Sequence, residues 1–418
     1  MNLNEISGQR QLTFMKHFDY IREAGTDGEL RAAAAIQKEL ESFGQENRQE
    51  AFSFEACRAT EVTFTVTEPY EKTYRAAAYV HPAFVTSAAC MPDGGIEAPF
   101  YYAENGDPIS LKKAAGKIVM VNFPMDAEMY EKLAKAGAAA FLTITGTPID
   151  QGEDLIPWDR TLRGVESPTI FGGIVHHVDA IEMVTKGACR ARLCIRQQMQ
   201  TVHSNNVVAR IEGTDKAEEI LTLTAHYDSV PAGKGAYDNM AGGAIIMEIC
   251  RYLKAHRPRR SVEFVWLGAE EKGLKGSLAY VEAHEDALEK HMFNMNVDLA
   301  GQLVGGTVLG VAAEAETCRA LESMAEEIGL GMRTINGIWG SDSNTFAWKG
   351  IPAMTLNRDG FGMHTCHDTI ELISPWSLQR SAQLLGYIAD TLANADEIPF
   401  PRSVPADLKE KLDGYFAR

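Results

Sequence analysis

Short apolar runs in this chain stop at residues able to bind metal or move protons. His226-Tyr227-Asp228 closes the run EILTLTA, Glu270-Glu271 closes SVEFVWLGA, Asp298 closes MFNMNV, and His364 lies in a loop beyond IPAMTL. A further pair, Asp238-Asn239, sits in a Gly-rich loop ahead of a helical stretch. Imidazole and carboxylate donors without sulfur suit Zn²⁺, and also Mn²⁺ or Co²⁺. Five ligands from such clusters can hold two ions if one carboxylate bridges them. Two ions about 3.5–4 Å apart share and acidify a water and clamp a tetrahedral oxyanion. One further carboxylate is then free to act as general base.

The elements that must position these groups follow from the surrounding pattern. From about residue 205 onward, strand-like runs (NVVARIEG, EILTLTA, SVEFVWLGA, MFNMNV, IPAMTL) alternate with helical stretches. The last long helix begins near Ser374, with Pro375 at its first position. This alternation predicts an α/β fold, an α/β/α sandwich with a mainly parallel central sheet. Open sheets of that kind gather their functional groups just beyond the carboxyl ends of the strands. An amphipathic helix is predicted over 27–44, with Leu30, Ala34, Ile36 and Leu40 near one side and Gly44 as its stop. From 60 to 198 the texture changes to short β-branched runs between Pro- and Gly-rich turns. We therefore expect a discontinuous domain of residues 1–59 and 199–418 carrying the chemistry, interrupted by a β-rich insertion at 60–198.

In order along the chain, His226-Tyr227-Asp228-Ser229, Asp238-Asn239, Glu270-Glu271-Lys272-Gly273, Asn296-Val297-Asp298 and His364-Thr365-Cys366-His367-Asp368-Thr369 resemble the motifs of the M28 family of co-catalytic zinc peptidases. Ser341-Asp342-Ser343, Phe346 and Gly350-Ile351-Pro352-Ala353 are similar to that family's stretch before its last ligand. The resemblance implies that one zinc takes His226 and Asp298, the other takes Glu271 and His364, and Asp238 bridges both. It implies Glu270 as general base toward a metal-bridging water, the nucleophile. Asp228 would fix the tautomer of His226, and the Asp238–Asn239 peptide would be cis. The insertion, through GKIVMVNF, AGAAAFLTI and SPTIFGGIVHHVDAIEMV, is similar to protease-associated domains. The activity so implied is removal of one residue from a short peptide, with an aminopeptidase ahead of a carboxypeptidase or dipeptidase. A non-catalytic binding protein on the same fold would lose ligands, and this chain keeps the whole set.

Each motif also has a plainer reading. Asp238-Asn239 alone resembles a turn and helix cap, and Glu-Glu pairs are common on solvated helix ends. His367 rivals His364 as a ligand, but the spacing to Asp368-Thr369 favours His364 and leaves Asp368 structural. Asp342 is expected to shape its turn, Cys366 to be a buried thiol, and His176-His177 to lie in a partly exposed loop or helix start. Trp339, Arg358, Phe361 and Met363 are candidates for substrate contact, although Arg358 is expected to pair with a neighbouring acid. Gly242-Gly243 lacks the Lys-Ser/Thr of a phosphate loop. With 40 basic and 57 acidic residues the net charge is −17, which disfavours nucleic acid and anionic membranes as partners. Seven scattered cysteines without C-x-x-C, and an amino terminus unlike a signal peptide, lead us to expect a cytoplasmic protein. Oligomeric state is not legible.

Overall fold

A computed structural model describes residues 1–85 and 90–417. The chain forms two compact units, residues 1–54 with 203–417, and residues 55–202. Both divisions fall inside 22-residue strands, Asn47–Glu68 and Arg190–Ile211.

The first unit is built on a mixed sheet whose strand order is Arg333–Asn336, Thr307–Ala312, Ala353–Arg358, His291–Val297, Lys216–His226, Arg260–Leu267 and the end of Arg190–Ile211. The centre is parallel: Lys216–His226 pairs with Arg260–Leu267 and His291–Val297, and the latter with Ala353–Arg358. Thr307–Ala312 runs antiparallel to Ala353–Arg358 but parallel to Arg333–Asn336, and Arg190–Ile211 runs antiparallel to Arg260–Leu267. The α/β sandwich expected from the alternation is thus present, with antiparallel strands added toward its edges.

Period-2 side-chain geometry divides the apolar residues between the two faces. Val207, Ala209, Phe264 and Trp266 join a core with the helices Gly8–Met15, Asp27–Ser42, Ala241–Ala255, Ala315–Glu327 and Pro375–Asn394. Val208, Val265 and Leu267 join another with Lys275–Ala283, Ser343–Trp348 and Ala406–Phe416. Strands covered on both sides read as nearly continuous apolar runs, which is why SVEFVWL shows little alternation. The Lys216–His226 strand departs from this. Leu221, Leu223 and Ala225 enter the first core, but Thr222 and Thr224 make hydrogen bonds to His291 and Asn296 at 2.6 and 2.8 Å. Asn296 in turn donates to Ser341 at 2.7 Å. Buried polar groups are tolerated where partners are close, and this layer runs toward the strand ends that carry the candidate site.

The predicted amino-terminal helix spans Asp27–Ser42, with a rotated buried stripe. Glu29, Ala32, Ala33, Ile36 and Leu40 face inward, whereas Leu30 is 49 % exposed and Ala34 is exposed. The inward residues follow the 3.6-residue repeat, but Glu29, as a carboxylate, hid the start of the stripe.

The second unit carries a mixed sheet with the order Arg190–Ile211, Ile96–Tyr102, Ile118–Val121, Ala140–Thr145, Phe171–His176, Ala76–Val80, Arg160–Thr161. Alternation again serves two cores: Ile118 and Met120 face one, Val119 and Val121 the other. His176 is fully buried rather than partly exposed. It ends a strand and caps the helix His177–Thr185 by accepting the Val178 N–H, while its Nε2 lies 3.1 Å from Asp150. Among the described residues no helix is long and apolar enough to cross a membrane, and no disulfide forms.

Leu223 is fully buried on a central strand. Leu223→Ala is expected to lower the unfolding free energy by about 2–5 kcal/mol through lost burial and a residual cavity. Denaturant titration should show a lower midpoint with an unchanged slope.

Candidate metal centre

Each candidate ligand stands on a backbone held by groups distant in sequence. His226 is the last residue of its strand. The chain beyond it is gripped by Arg22, which is fully buried and donates to the carbonyls of Tyr227 (2.7 Å), Phe18 (3.0 Å), Lys234 (2.5 Å) and Gly235 (2.8 Å). The Ser229 hydroxyl accepts the Arg22 N–H. Asp238 enters an irregular turn before the helix Ala241–Ala255, and its bond to Asn239 is cis, as the resemblance implies. The Asp368 carboxylate accepts the N–H groups of Tyr237 and Asp238 at 2.6 and 3.0 Å. Asn239 donates to the Val297 carbonyl, which ties this turn to the strand end preceding Asp298.

Glu270 and Glu271 follow Gly268 and Ala269, just past the strand Arg260–Leu267. Asp228 takes both of their N–H groups, at 3.0 and 3.2 Å. Asp298 donates its N–H to Leu356, and its carbonyl accepts from Asn357. His364 occupies the left-handed region, φ +61, in a turn closed by the Thr365 N–H on the Gly362 carbonyl.

These loops converge on two triads that share one residue. His226, Asp238 and Asp298 form one, and Asp238, Glu271 and His364 the other. His226 Nε2 lies 3.0 Å from Asp238 Oδ1 and 3.5 Å from Asp298 Oδ1. His364 Nε2 lies 3.0 Å from Asp238 Oδ2 and 3.2 Å from Glu271 Oε1. Asp238 therefore turns one oxygen to each histidine. His226 Nδ1 faces Asp228 at 3.4 Å, leaving Nε2 for the triad. Glu270 stands in neither triad, but its carboxyl lies in the field of His226, Glu271, Asp298 and Asp342.

The electrostatics are those of a crowded acid pocket. Burial pushes the Glu270 carboxyl well above its ordinary range, and Glu271, Asp298 and Asp342 add to the push. Burial and then the charge of Asp238 raise Glu271 to about 7. Burial works against charging the two imidazoles, yet the carboxylates around them raise His226 well above its usual value and His364 to about 10. Burial also opposes charge on Asp238, but the two histidines hold it well below the ordinary carboxylate range. Glu271 Oε1 and Asp298 Oδ1 are buried with no hydrogen-bond donor. Clustered carboxylates with orphaned acceptor oxygens, beside two imidazole nitrogens, fit divalent cations of the zinc type.

The remaining candidates separate. Among the described residues Arg358 forms no ion pair with an acid. It is buried, and its guanidinium donates to the Gln302 and Leu303 carbonyls and the Thr307 hydroxyl. It ends a strand whose neighbouring loop offers carbonyls within reach. Trp339 lies against Gly310, where any side chain would collide with the indole. Phe361 and Met363 are 63 % and 46 % exposed in the loop before His364. His367 is exposed and its ring lies near Phe361. Cys366 is half-buried rather than buried.

Asp342 stands in the expected turn, where its carbonyl accepts the Thr345 N–H. The turn is closed by backbone groups and by Asn344, which accepts the Trp339 N–H. The buried Asp342 carboxyl is raised to about 7 by burial, with the charges of Asp298 and Asp228 adding to it. Sequence reasoning missed Arg22. Its signature, one arginine ahead of a helix, carries no signal without the fold.

Removing the Arg22 guanidinium leaves several buried carbonyls without a donor. Arg22→Met is expected to lower stability by at least about 3 kcal/mol, given about 1–3 kcal/mol for each buried group left unsatisfied. Chemical denaturation of the purified variant checks this.

Comparison with known proteins agrees with the geometry. The chain is 27 % identical over 349 residues to aminopeptidase YwaD of Bacillus subtilis (strain 168), covering 79 % of this chain and 74 % of that protein. It is 28 % identical over 343 residues to carboxypeptidase Q of Mus musculus, covering 76 % and 72 %. In fold it is similar to the zinc aminopeptidase BSAP of Bacillus subtilis, with a TM-score of 0.75, 23 % identity and coverage of 97 % and 99 %. The segment matched by the model for peptidase family M28, residues 206–389, begins before His226 and ends beyond His364. Every strand end that feeds the two triads lies within it, so the chain is similar to peptidase family M28 over the part that builds the site.

Proposed function

We propose that the protein is a di-zinc aminopeptidase that removes the first residue of short peptides. The observation that carries this reading is the sharing of Asp238 between two triads, one oxygen toward each histidine. In the proposal His226 and Asp298 hold one ion, Glu271 and His364 the other, and Asp238 both. Two such ions, when bound, acidify a water and stabilise negative charge on the substrate oxygen. Mn²⁺ or Co²⁺ could substitute, because the donor set has no sulfur. Residues 1–54 and 203–417 form the catalytic domain in this reading, and residues 55–202 a protease-associated-like insertion. A cytoplasmic location completes the proposal.

The residues of the chain divide the work. Glu270 takes a proton from the attacking water and passes it to the leaving amine. Asp228 orients the His226 ring through Nδ1 and holds the amides of Glu270 and Glu271, so it positions base and ligand together.

The similarity to carboxypeptidase Q favours a second reading, cleavage at the carboxyl end on the same machinery. That reaction needs a cation for the terminal carboxylate. Arg358, the arginine next to the site in sequence, is buried and committed to carbonyl oxygens, which supports the amino-terminal choice.

Hydrolysis of short peptides with free, amino-blocked or carboxyl-blocked ends, each with and without chelator, tests the proposal. Chelator-sensitive cleavage requiring a free amine and tolerating a blocked carboxyl is expected. Dependence on a free carboxyl alone would overturn it in favour of the second reading. Glu270→Ala should lose turnover by at least about 100-fold, the lower range for acid–base catalysis, while metal analysis still finds zinc. A variant retaining a tenth of the wild-type rate would remove Glu270 from the base role. Asp238→Ala should reduce both zinc equivalents together, and full retention of both would dismiss the bridging assignment.

A further inference from the structure

Residues 227–235 join His226 to the turn that carries Asp238, and they contain neither helix nor strand. The side chains at the two ends meet, His226 Nε2 lying 3.0 Å from Asp238 Oδ1. A segment outside the sheet has no ladder of its own to fix where its ends stand, so its backbone groups need other partners.

The Arg22 guanidinium supplies them at both ends. Its Nε donates to the carbonyl of Tyr227, the residue after His226, at 2.7 Å. Its Nη2 donates to the Gly235 carbonyl at 2.8 Å. That carbonyl also accepts the Met240 N–H at 3.0 Å, which closes the turn around Asp238. Nη1 reaches the Lys234 carbonyl and, on Arg22's own segment, those of Phe18 and Tyr20. The backbone adds a reciprocal pair: the Arg22 N–H donates to the Ser229 hydroxyl at 2.9 Å, and the Ser229 N–H to the Arg22 carbonyl at 3.2 Å. The packing is tight where guanidinium and turn meet. Gly235 has φ +58, and a Cβ there would lie 2.3 Å from the Asp238 carbonyl oxygen and 3.0 Å from Arg22 Nη2.

We infer that Arg22 is a positioning residue of the metal centre, in which one guanidinium pins both ends of the segment joining His226 to Asp238 and so sets the separation of those two ligands. The inference rests on the peptidase reading for the ligand roles of His226 and Asp238. It goes beyond stability: an arginine that only braced the fold would change Tm, whereas this one also changes the metal affinity of the folded protein. The planar fork of arginine presents its N–H groups in fixed directions. A lysine keeps the charge, but its compact ammonium on a flexible stem cannot hold two carbonyls at a set spacing.

The experiment compares wild type, Arg22→Lys, Ser229→Ala and a core control, Leu385→Ala, all zinc-loaded. Leu385 is fully buried in the helix Pro375–Asn394 and belongs to neither triad. Zinc retention against a competing chelator, Tm, and kcat and KM on a free-amine peptide are measured. Arg22→Lys is expected to weaken at least one zinc equivalent about 10- to 100-fold, the usual cost of losing an outer-shell partner, and to lower kcat by a similar factor at unchanged KM. Ser229→Ala should give a smaller loss of the same kind, and Leu385→Ala should lower Tm with zinc retention unchanged. Wild-type zinc retention in folded Arg22→Lys would overturn the inference. So would a loss no greater than that of Leu385→Ala at comparable Tm. If Arg22→Lys does not fold, Ser229→Ala decides, and wild-type zinc retention there counts against the inference. A wild type that holds zinc but cleaves no peptide would count against the peptidase reading alone, because the zinc comparison is read independently of turnover. A wild type that holds no zinc would overturn both.

Discussion

The architecture around the site depends on keeping several carboxylates close together away from bulk water. Asp238, Glu271 and Asp298 meet two imidazoles at N···O distances of 3.0 to 3.5 Å, with Glu270 and Asp342 adding to the same field. Like charges at this spacing cannot all ionise in a low-dielectric pocket unless cations compensate them. The raised proton affinities of Glu270, Glu271 and Asp342 record that conflict. Zinc-type ions would resolve it by supplying the compensating positive charge.

An acid pocket of this kind needs a stiff frame, and much of that frame is backbone hydrogen bonding to buried charge. Asp368 holds the turn carrying Asp238, Asp228 the turn carrying Glu270 and Glu271, and Arg22 the segment after His226. Irregular backbone inside a protein leaves N–H and C=O groups that the sheet cannot satisfy. Charged side chains that only accept, or only donate, can satisfy several at once. They become part of the fold's stability as well as of the site's geometry, and Arg22 joins the amino-terminal segment to the chain beyond His226.

The sheet supplies the direction. Parallel central strands bring His226, Glu270-Glu271 and Asp298 out on one edge, and the loop after Ala353–Arg358 adds His364. The polar layer of Thr222, Thr224, Asn296 and Ser341 under that edge replaces hydrocarbon by short hydrogen bonds, which have one favoured arrangement. In the second unit, two separate apolar cores on one mixed sheet give residues 55–202 their own reason to fold.

The alternation of strands and helices, and the candidate ligands at strand ends, were legible in the sequence. They are local: an apolar run ending in His or Glu-Glu announces itself whatever the rest of the chain does. Spacing favoured His364 over His367, and the structure sets His364 beside Asp238 and Glu271. Other features were not legible. The inward turn of Glu29, the burial of Arg22 and His176, and the commitment of Arg358 to carbonyls contradict what each residue type usually does. A buried charge is tolerable only when partners far away in sequence converge on it, and that convergence exists only in the folded chain. The sequence by itself determined which chemistry the chain can carry and on which elements. The tertiary structure alone decided which charges are buried together, because burial depends on contacts between segments as distant as residues 22 and 235.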